Sequence, residues 1–113
     1  MEISQSERLR RKGISMTIKK TFDGDNLQIS LSGRLDTTTA PELEEELHKS
    51  IDGIKDLTFD FADLDYISSA GLRVLLSAQK IMNKQGKMRL VNVKGVIMEI
   101  FEVTGFADIL TIE

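Results

Sequence analysis

The chain has 113 residues, a formal net charge of −3 and no cysteine, so it has room for one domain and excludes disulfides, thiolate metal sites and cysteine nucleophiles. Acidic and basic residues are mixed along the chain, which gives no electrostatic footprint for nucleic acid. No run approaches the roughly 20 apolar residues that a membrane-spanning helix needs, so we expect no membrane insertion, and the lack of cysteine fits a reducing cytoplasm.

The first 15 residues differ in character from the rest of the chain, because they carry clustered arginines and no apolar period. We expect residues 1–15 to form a disordered tail and residues 16–113 to form the domain. Two strands are predicted over Met16–Phe22 and Asn26–Gly33, the second with apolar and polar residues in alternation. Turn residues between them, Asp23-Gly24-Asp25-Asn26, predict a hairpin.

A helix is predicted to begin at Thr39-Ala40-Pro41-Glu42, where Thr39 can cap the helix and Glu42 can complete a capping box. Apolar residues then recur at helical spacing, at Leu43, Leu47 and Ile51, until Gly53 ends the helix. A third strand is predicted over Asp56–Ala62, with a loop from Asp63 to Ser68 after it.

The second helix is predicted to run from about Ser69 to Lys84, where Gly86 stops it, and a fourth strand covers Lys87–Val93. Its apolar stripe consists of Val74, Leu75, Ala78, Ile81 and Met82. A third helix follows, with Val96, Ile97, Ile100 and Phe101 predicted to point inward. Thr104-Gly105 breaks it, and Phe106–Ile112 forms a short closing element.

The order of these elements is hairpin, helix, strand, helix, strand, helix. Strands that are separated by helices pair in parallel through right-handed crossovers. Because the strands alternate rather than being apolar throughout, most helices should lie on one face of the sheet. We therefore predict an α/β fold with a mixed sheet of four to five strands, in which an N-terminal hairpin precedes a parallel β-α-β-α-β unit.

Two loops, residues 33–40 and residues 65–72, follow neighbouring parallel strands and should share the carboxyl edge of the sheet, where ligand and partner sites are favoured. This edge would bring Asp36 near Ser69. At the start of a helix, Ser69 could carry a phosphate, because the backbone amides and the helix dipole favour negative charge there. On the residues alone, the favoured interpretation is that Ser68 or Ser69 is merely an N-cap, because Ser-Ser before a helix is common, and Asp36 is open to interpretation as a turn residue that binds loop amides.

Three segments of the sequence together indicate a relationship to a known family. They are Ser32-Gly33-Arg34-Leu35-Asp36 with Thr39-Ala40, Asp65-Tyr66-Ile67-Ser68-Ser69-Ala70-Gly71-Leu72, and Thr104-Gly105-Phe106. In their order and spacing they resemble the STAS domain family of bacterial anti-sigma factor antagonists, over about residues 16–113. The resemblance implies a single STAS-like domain that binds an anti-sigma factor, itself a serine kinase, and so frees a sigma factor.

The resemblance also implies that phosphorylation of one serine blocks this binding and that a serine phosphatase restores it. By position the serine is Ser69, with Ser68 as the alternative; many members of the family carry aspartate where this chain has Ser68. The implied partner-binding residues lie around it: Asp36, Thr37, Thr38, Ser68, Ser69, Ala70, Gly71 and Arg73. No cofactor or metal is implied, and the location is cytoplasmic.

Two other functions are alternatives to a phosphorylation-controlled antagonist. STAS-like domains also serve as scaffolds or as regulatory subunits of stress-signalling or transport complexes, without phosphorylation. An enzyme is not expected. A serine hydrolase needs a base and an elbow motif around its serine, and no such motif surrounds Ser69. The one histidine, His48, stands among Glu44, Glu45 and Glu46 in the first predicted helix, and we expect it on a solvated face rather than as a metal ligand or base.

Overall fold

The structure, a computed structural model, describes residues 16–113. This part of the chain begins with an antiparallel hairpin. Strand β1 (Met16–Asp23) pairs with strand β2 (Asn26–Leu35), and Gly24 turns the chain between them with a positive φ of 62°. The predicted hairpin is confirmed, although β2 continues to Leu35 instead of ending at Gly33. The tail predicted as disordered, residues 1–15, lies outside the described residues.

Two further strands extend the sheet in parallel, β3 (Asp56–Ile67) on β2 and β4 (Lys87–Val91) on β3. The strand order is β1-β2-β3-β4. Leu90 also forms an isolated parallel bridge with Ile112, so the closing segment adds one bridge position beside β4. This arrangement confirms the predicted mixed sheet of four to five strands.

Strand β3 is longer than predicted. It continues past Ala62 to Ile67, so the segment predicted as a loop, Asp63–Ser68, is mostly strand. The pairing of β2 with β3 shifts register between Ser30 and Ser32 and again between Gly33 and Arg34. Because each irregularity interrupts the alternation of buried and exposed positions, the charged residues near the end of β3 look like loop residues in the sequence.

Three helices cover one face of this sheet: α1 (Ala40–Ser50), α2 (Ser69–Gln85) and α3 (Gly95–Thr104). The strand residues that face them are buried, namely Leu27, Ile29, Leu31, Leu57, Phe59, Phe61, Met88 and Leu90. Gln28 and Arg89, on the opposite face, are exposed. The predicted single helical layer is confirmed. None of the helices formed by residues 16–113 is long and apolar enough to cross a membrane.

The ends of several elements differ from the prediction. Strand β4 ends at Val91 instead of Val93, because Asn92 adopts a φ of 56°, a left-handed conformation that asparagine tolerates. Helix α1 ends at Ser50, before Gly53. The closing element is a 3₁₀ turn, Phe106–Asp108, followed by the bridge to β4.

Helix α3 buries a narrower stripe than predicted. Ile97 and Phe101 are buried, and the ring of Phe101 lies 6.5 Å from that of Phe61. Val96, however, is 52% exposed, and Ile100 is only partly buried. Because β3 is the main contact of α3 within the sheet, only the residues that point straight at that strand reach the core.

The first turn of α2 packs closely on the carboxyl ends of β2 and β3. A Cβ atom on Gly71 would lie 2.7 Å from Cγ of Leu35 and 2.8 Å from Cγ1 of Ile67. Both neighbours are buried, so neither can move away without disturbing the core. Gly71 is therefore required for close approach of the helix to the sheet.

We predict that Gly71→Ala lowers the free energy of unfolding by about 1–3 kcal/mol, the usual cost of overpacking a core. Urea denaturation followed by circular dichroism measures this change. Gly95→Ala is the matched control, because a Cβ there meets nothing within 4 Å, and it should leave stability unchanged or slightly higher. Equal unfolding midpoints for Gly71→Ala and wild type would show that the contact is not tight.

Candidate functional site

The parallel pairing of β2 with β3 brings the two loops together at one edge, as the sequence predicts. Leu35 stands opposite Ile67 at the ends of these strands. Directly beyond them, the Ser68 amide donates a hydrogen bond of 2.9 Å to the Leu35 carbonyl. The residues that follow, Asp36 on one side and Ser69 on the other, therefore leave the sheet side by side.

The two serines at the start of α2 have different surroundings. Ser68 is the N-cap residue, with an extended backbone (φ −101°, ψ 176°), and its carbonyl accepts the Leu72 amide at 3.0 Å. Its hydroxyl oxygen is buried and makes no cap bond. Ser69, the first helical residue, is exposed, and its side chain forms no hydrogen bond with any residue of 16–113. Of these two hydroxyls, only that of Ser69 faces solvent.

Asp36 closes the loop between β2 and α1. Its Oδ1 accepts hydrogen bonds from the Thr38 amide (3.0 Å), the Thr38 hydroxyl (2.7 Å) and the Thr39 amide (3.2 Å). Its backbone carbonyl accepts the Ala40 amide at 2.8 Å. These bonds are those of the turn residue that the sequence offered as the alternative role for Asp36.

The predicted cap by the Thr39 hydroxyl is wrong. That hydroxyl is buried and points back into the loop, where it donates to the Arg34 carbonyl at 2.7 Å and accepts the Asp36 amide at 2.9 Å. Thr39 consequently makes no side-chain bond to the first amides of α1. The reason is that the hydroxyl is already engaged by these two backbone groups of the loop.

The charge of Asp36 is stabilised inside this loop. Partial burial disfavours the carboxylate, but the hydrogen bonds from Thr38 and Thr39 outweigh this effect, so the pKa of Asp36 lies below its ordinary value. Arg34 adds an ion pair, with Nε 3.6 Å from Oδ2. Asp36 is therefore a carboxylate at neutral pH that holds Thr37 and Thr38 in place.

The positively charged side chains around this edge differ in the residues with which they interact. The Arg34 guanidinium lies 4.2 Å from the centre of the Tyr66 ring, in addition to its pair with Asp36. Lys94 binds Asp65 at 3.0 Å. Arg73, one turn after Ser69 on α2, is exposed and has neither a hydrogen bond nor an ion pair to any described residue.

The other predicted site residues fall into two groups. Thr37 and Thr38 are exposed, and Ala70 is partly buried beside them, so all three lie on the surface around Ser69. Gly71 is buried and contributes packing rather than a contact surface. Tyr66 was not among the predicted site residues. Its ring stacks on Arg34 because β3 extends to Ile67, beyond the predicted end of the strand.

A groove between α1 and α2 opens beside Thr37 and Ala70 and is flanked by charged side chains. Glu44 contributes from α1 and Arg73 from α2. His48 is exposed on α1, with Nε2 3.9 Å from Glu44, which agrees with the predicted solvated face. Within residues 16–113, no three histidine or acidic side chains are grouped so as to hold a metal ion.

Comparisons with known proteins point to one family. The sequence matches the STAS domain over residues 14–113. It is 40% identical over 99 residues to BtrV of Bordetella bronchiseptica, which is named as an anti-sigma factor antagonist, covering 84% of this chain and 85% of that protein. It is 32% identical over 89 residues to the anti-sigma-B factor antagonist of Bacillus subtilis, covering 78% and 82%.

Solved structures share the fold. The crystal structure of an anti-sigma factor antagonist from Mycobacterium paratuberculosis superposes with a TM-score of 0.79, at 22% identity, over 87% of this chain and 85% of that one. The Bacillus cell fate determinant SpoIIAA in its phosphorylated form superposes with a TM-score of 0.69, at 16% identity, over 86% and 91%.

We predict that Asp36→Ala lowers the free energy of unfolding by about 0.5–1.5 kcal/mol at pH 7, the usual net contribution of a hydrogen bond, because the amides of Thr38 and Thr39 lose their acceptor. Asp36→Asn should retain much of this stability, because its Oδ1 still accepts the loop amides. Urea unfolding at a series of pH values measures both variants. Wild-type and Asp36→Ala proteins that unfold at the same urea concentration would show that the loop does not depend on Asp36.

The pH dependence of this contribution has a defined sign. Because folding lowers the pKa of Asp36, the carboxylate stabilises the fold fully above its unfolded pKa of about 3.9. The contribution disappears as the pH falls through the lower pKa of the folded state. The stability difference between wild type and Asp36→Asn should therefore be constant near neutrality and shrink in acid; a difference that grows in acid would contradict the assignment.

Proposed function

The chain belongs to the STAS domain family, and we propose that it is an anti-sigma factor antagonist that phosphorylation of Ser69 switches off. In this function it binds an anti-sigma factor that is also a serine kinase, and thereby frees a sigma factor in the cytoplasm. A serine phosphatase returns the modified protein to its active form. The observation that carries the proposal is the exposed hydroxyl of Ser69 at the first position of α2, which has no hydrogen-bond partner among residues 16–113.

Exposure favours Ser69 over Ser68 as the phosphate acceptor. A kinase has to bring the acceptor oxygen in line with the γ-phosphate of ATP, so the oxygen must be accessible. The Ser68 oxygen is buried beneath the start of α2 and would require local opening of the helix. The Ser69 side chain already faces solvent.

The surface around Ser69 suits recognition by a protein partner. Thr37 and Thr38 project from a loop that the Asp36 carboxylate holds in place. Arg73 adds an exposed positive charge on the neighbouring turn of α2, with no ion pair to any described residue. A preorganised surface of this kind loses little conformational entropy on binding. Asp36 contributes mainly through the conformation of the loop, because Oδ1 is already occupied by loop donors.

Phosphorylation changes this surface without requiring a change of fold. A phosphate at Ser69 adds close to two negative charges at pH 7. It stands at the amino end of α2, where the free amides and the helix dipole stabilise negative charge. The same bulky, solvated anion lies in the middle of the contact surface, and each 1.4 kcal/mol lost from binding lowers the affinity about tenfold.

A binding role also fits the chemistry of the edge better than an enzymatic one. Among residues 16–113, the Ser69 hydroxyl has no hydrogen-bonded base that could activate it as a nucleophile. His48 faces solvent on α1 beside Glu44. The hydroxyl is therefore better suited to accept a phosphate from another enzyme than to act as a nucleophile itself.

We predict that incubation with the cognate anti-sigma kinase and ATP places one phosphate on the wild-type protein and none on Ser69→Ala, because Ser69, unlike Ser68, presents an accessible hydroxyl at the start of α2. Intact-protein mass spectrometry counts the phosphates, and peptide mapping locates them. Ser69→Ala should still bind the kinase, which calorimetry measures.

Ser68→Ala is the matched control, since it alters the adjacent serine and should still accept the phosphate. A phosphate that maps to Ser68 would assign the switch to the N-cap residue. Modification of neither serine would favour the scaffold function instead.

A further inference from the structure

We propose that Arg73 is the intramolecular partner of the phosphate on Ser69, so that the modified protein forms an ion pair along the first turns of α2. The proposal rests on the proposed function, because it concerns a phosphate on Ser69. It identifies a residue that helps to determine how the phosphate changes the surface.

The spacing of the two residues on α2 places them on one face of the helix. Ser69 is the first residue of the helix and Arg73 is four positions later. Residues at this separation have Cβ atoms about 5–6 Å apart, and an acidic group that precedes a basic one by four residues is in the favourable order. Both residues are exposed, so the phosphate and the guanidinium can meet without rearrangement of the core.

Arg73 is also the available cation among those described at this edge. Arg34 is engaged by Asp36 and Tyr66, and Lys94 by Asp65. Arg73 has no ion pair with any residue of 16–113, although it lines the same groove as Glu44. A guanidinium can bind a phosphate through two parallel hydrogen bonds, so a phosphate at Ser69 should engage it where Glu44 does not.

This pairing would give phosphorylation two effects on the partner surface. In the unmodified protein, the Arg73 charge is free to meet an acidic group of the partner. In the modified protein, the same charge is neutralised by the phosphate. Phosphorylation would thus remove a positive contact as well as add a negative one, which strengthens the discrimination between the two forms.

The test uses protein in which phosphoserine is incorporated at position 69 during translation, so it needs no kinase. The second pKa of this phosphate is measured by ³¹P NMR in otherwise wild-type protein and in Arg73→Ala, Arg73→Lys and Lys80→Ala variants. Apart from the substituted residue, all ionisable groups are the same in these four proteins, including Asp36 of the loop and Glu44, which lines one groove with Arg73. Their effects therefore cancel in the comparison.

We expect Arg73→Ala to raise the phosphate's second pKa by about 0.3 unit or more, as loss of an exposed pair at this spacing implies. Arg73→Lys should restore part of the difference. Lys80→Ala, which removes an exposed charge farther along α2, should change nothing. Equal values for wild type and Arg73→Ala, or an equal shift in Lys80→Ala, would overturn the proposal.

A second measurement guards against an effect of Arg73 on folding. The melting temperature of the unmodified Arg73→Ala protein should equal that of unmodified wild type, since the side chain is exposed and unpaired. The rise in melting temperature that phosphoserine produces should be smaller in Arg73→Ala than in wild type. Because neither measurement depends on a kinase, failure of the Arg73 pairing and failure of Ser69 as the natural acceptor remain distinguishable.

Discussion

The parallel pairing of β2 with β3 is the constraint on which the candidate site depends. It sets Leu35 opposite Ile67, so the two strands end side by side at the same edge of the sheet. Both side chains are buried. A slip of one residue would turn these side chains away from the core, which makes the register costly to change. The bond from the Ser68 amide to the Leu35 carbonyl then joins the two loops, and Gly71 lets α2 approach them.

Within this frame, the polar residues of the edge have separate tasks. Asp36 uses its carboxylate to hold its own loop, whereas Ser69 is exposed and its hydroxyl binds no group of residues 16–113. A site built this way can be altered chemically at Ser69 without breaking the bonds that maintain its shape. The amino end of α2 favours the added negative charge, so the physical effect of the modification is concentrated on what binds there.

Much of this arrangement follows from local patterns in the sequence. Alternation in β2 and the apolar stripe of α2 predict their buried faces correctly, because each periodicity reports which side meets the core. The end of β3 is missed, since register shifts interrupt the alternation and Asp63 and Asp65 then resemble loop residues. The inward position predicted for Val96 fails because α3 contacts the sheet over a narrow face.

The finer features of the site depend on competition between neighbouring groups. The Thr39 hydroxyl could cap α1 or bind within the loop, and only the folded loop shows that it binds the Arg34 carbonyl and the Asp36 amide. Likewise, a shift of one residue in the start of α2 decides whether the Ser68 or the Ser69 hydroxyl is exposed. Sequence patterns locate helix ends less sharply than that.

Phosphorylation at Ser69 should alter a local surface and leave the fold intact. Comparison of ¹H–¹⁵N NMR spectra of the unmodified protein and the protein with phosphoserine at position 69 distinguishes this local change from refolding. We expect amide shift changes confined to residues 35–38 and 67–74, with the signals of β4 and of the carboxyl end of α2 unmoved. Shift changes spread through the sheet as far as Lys87–Val91 would contradict it, because they would show that the modification acts by refolding the domain.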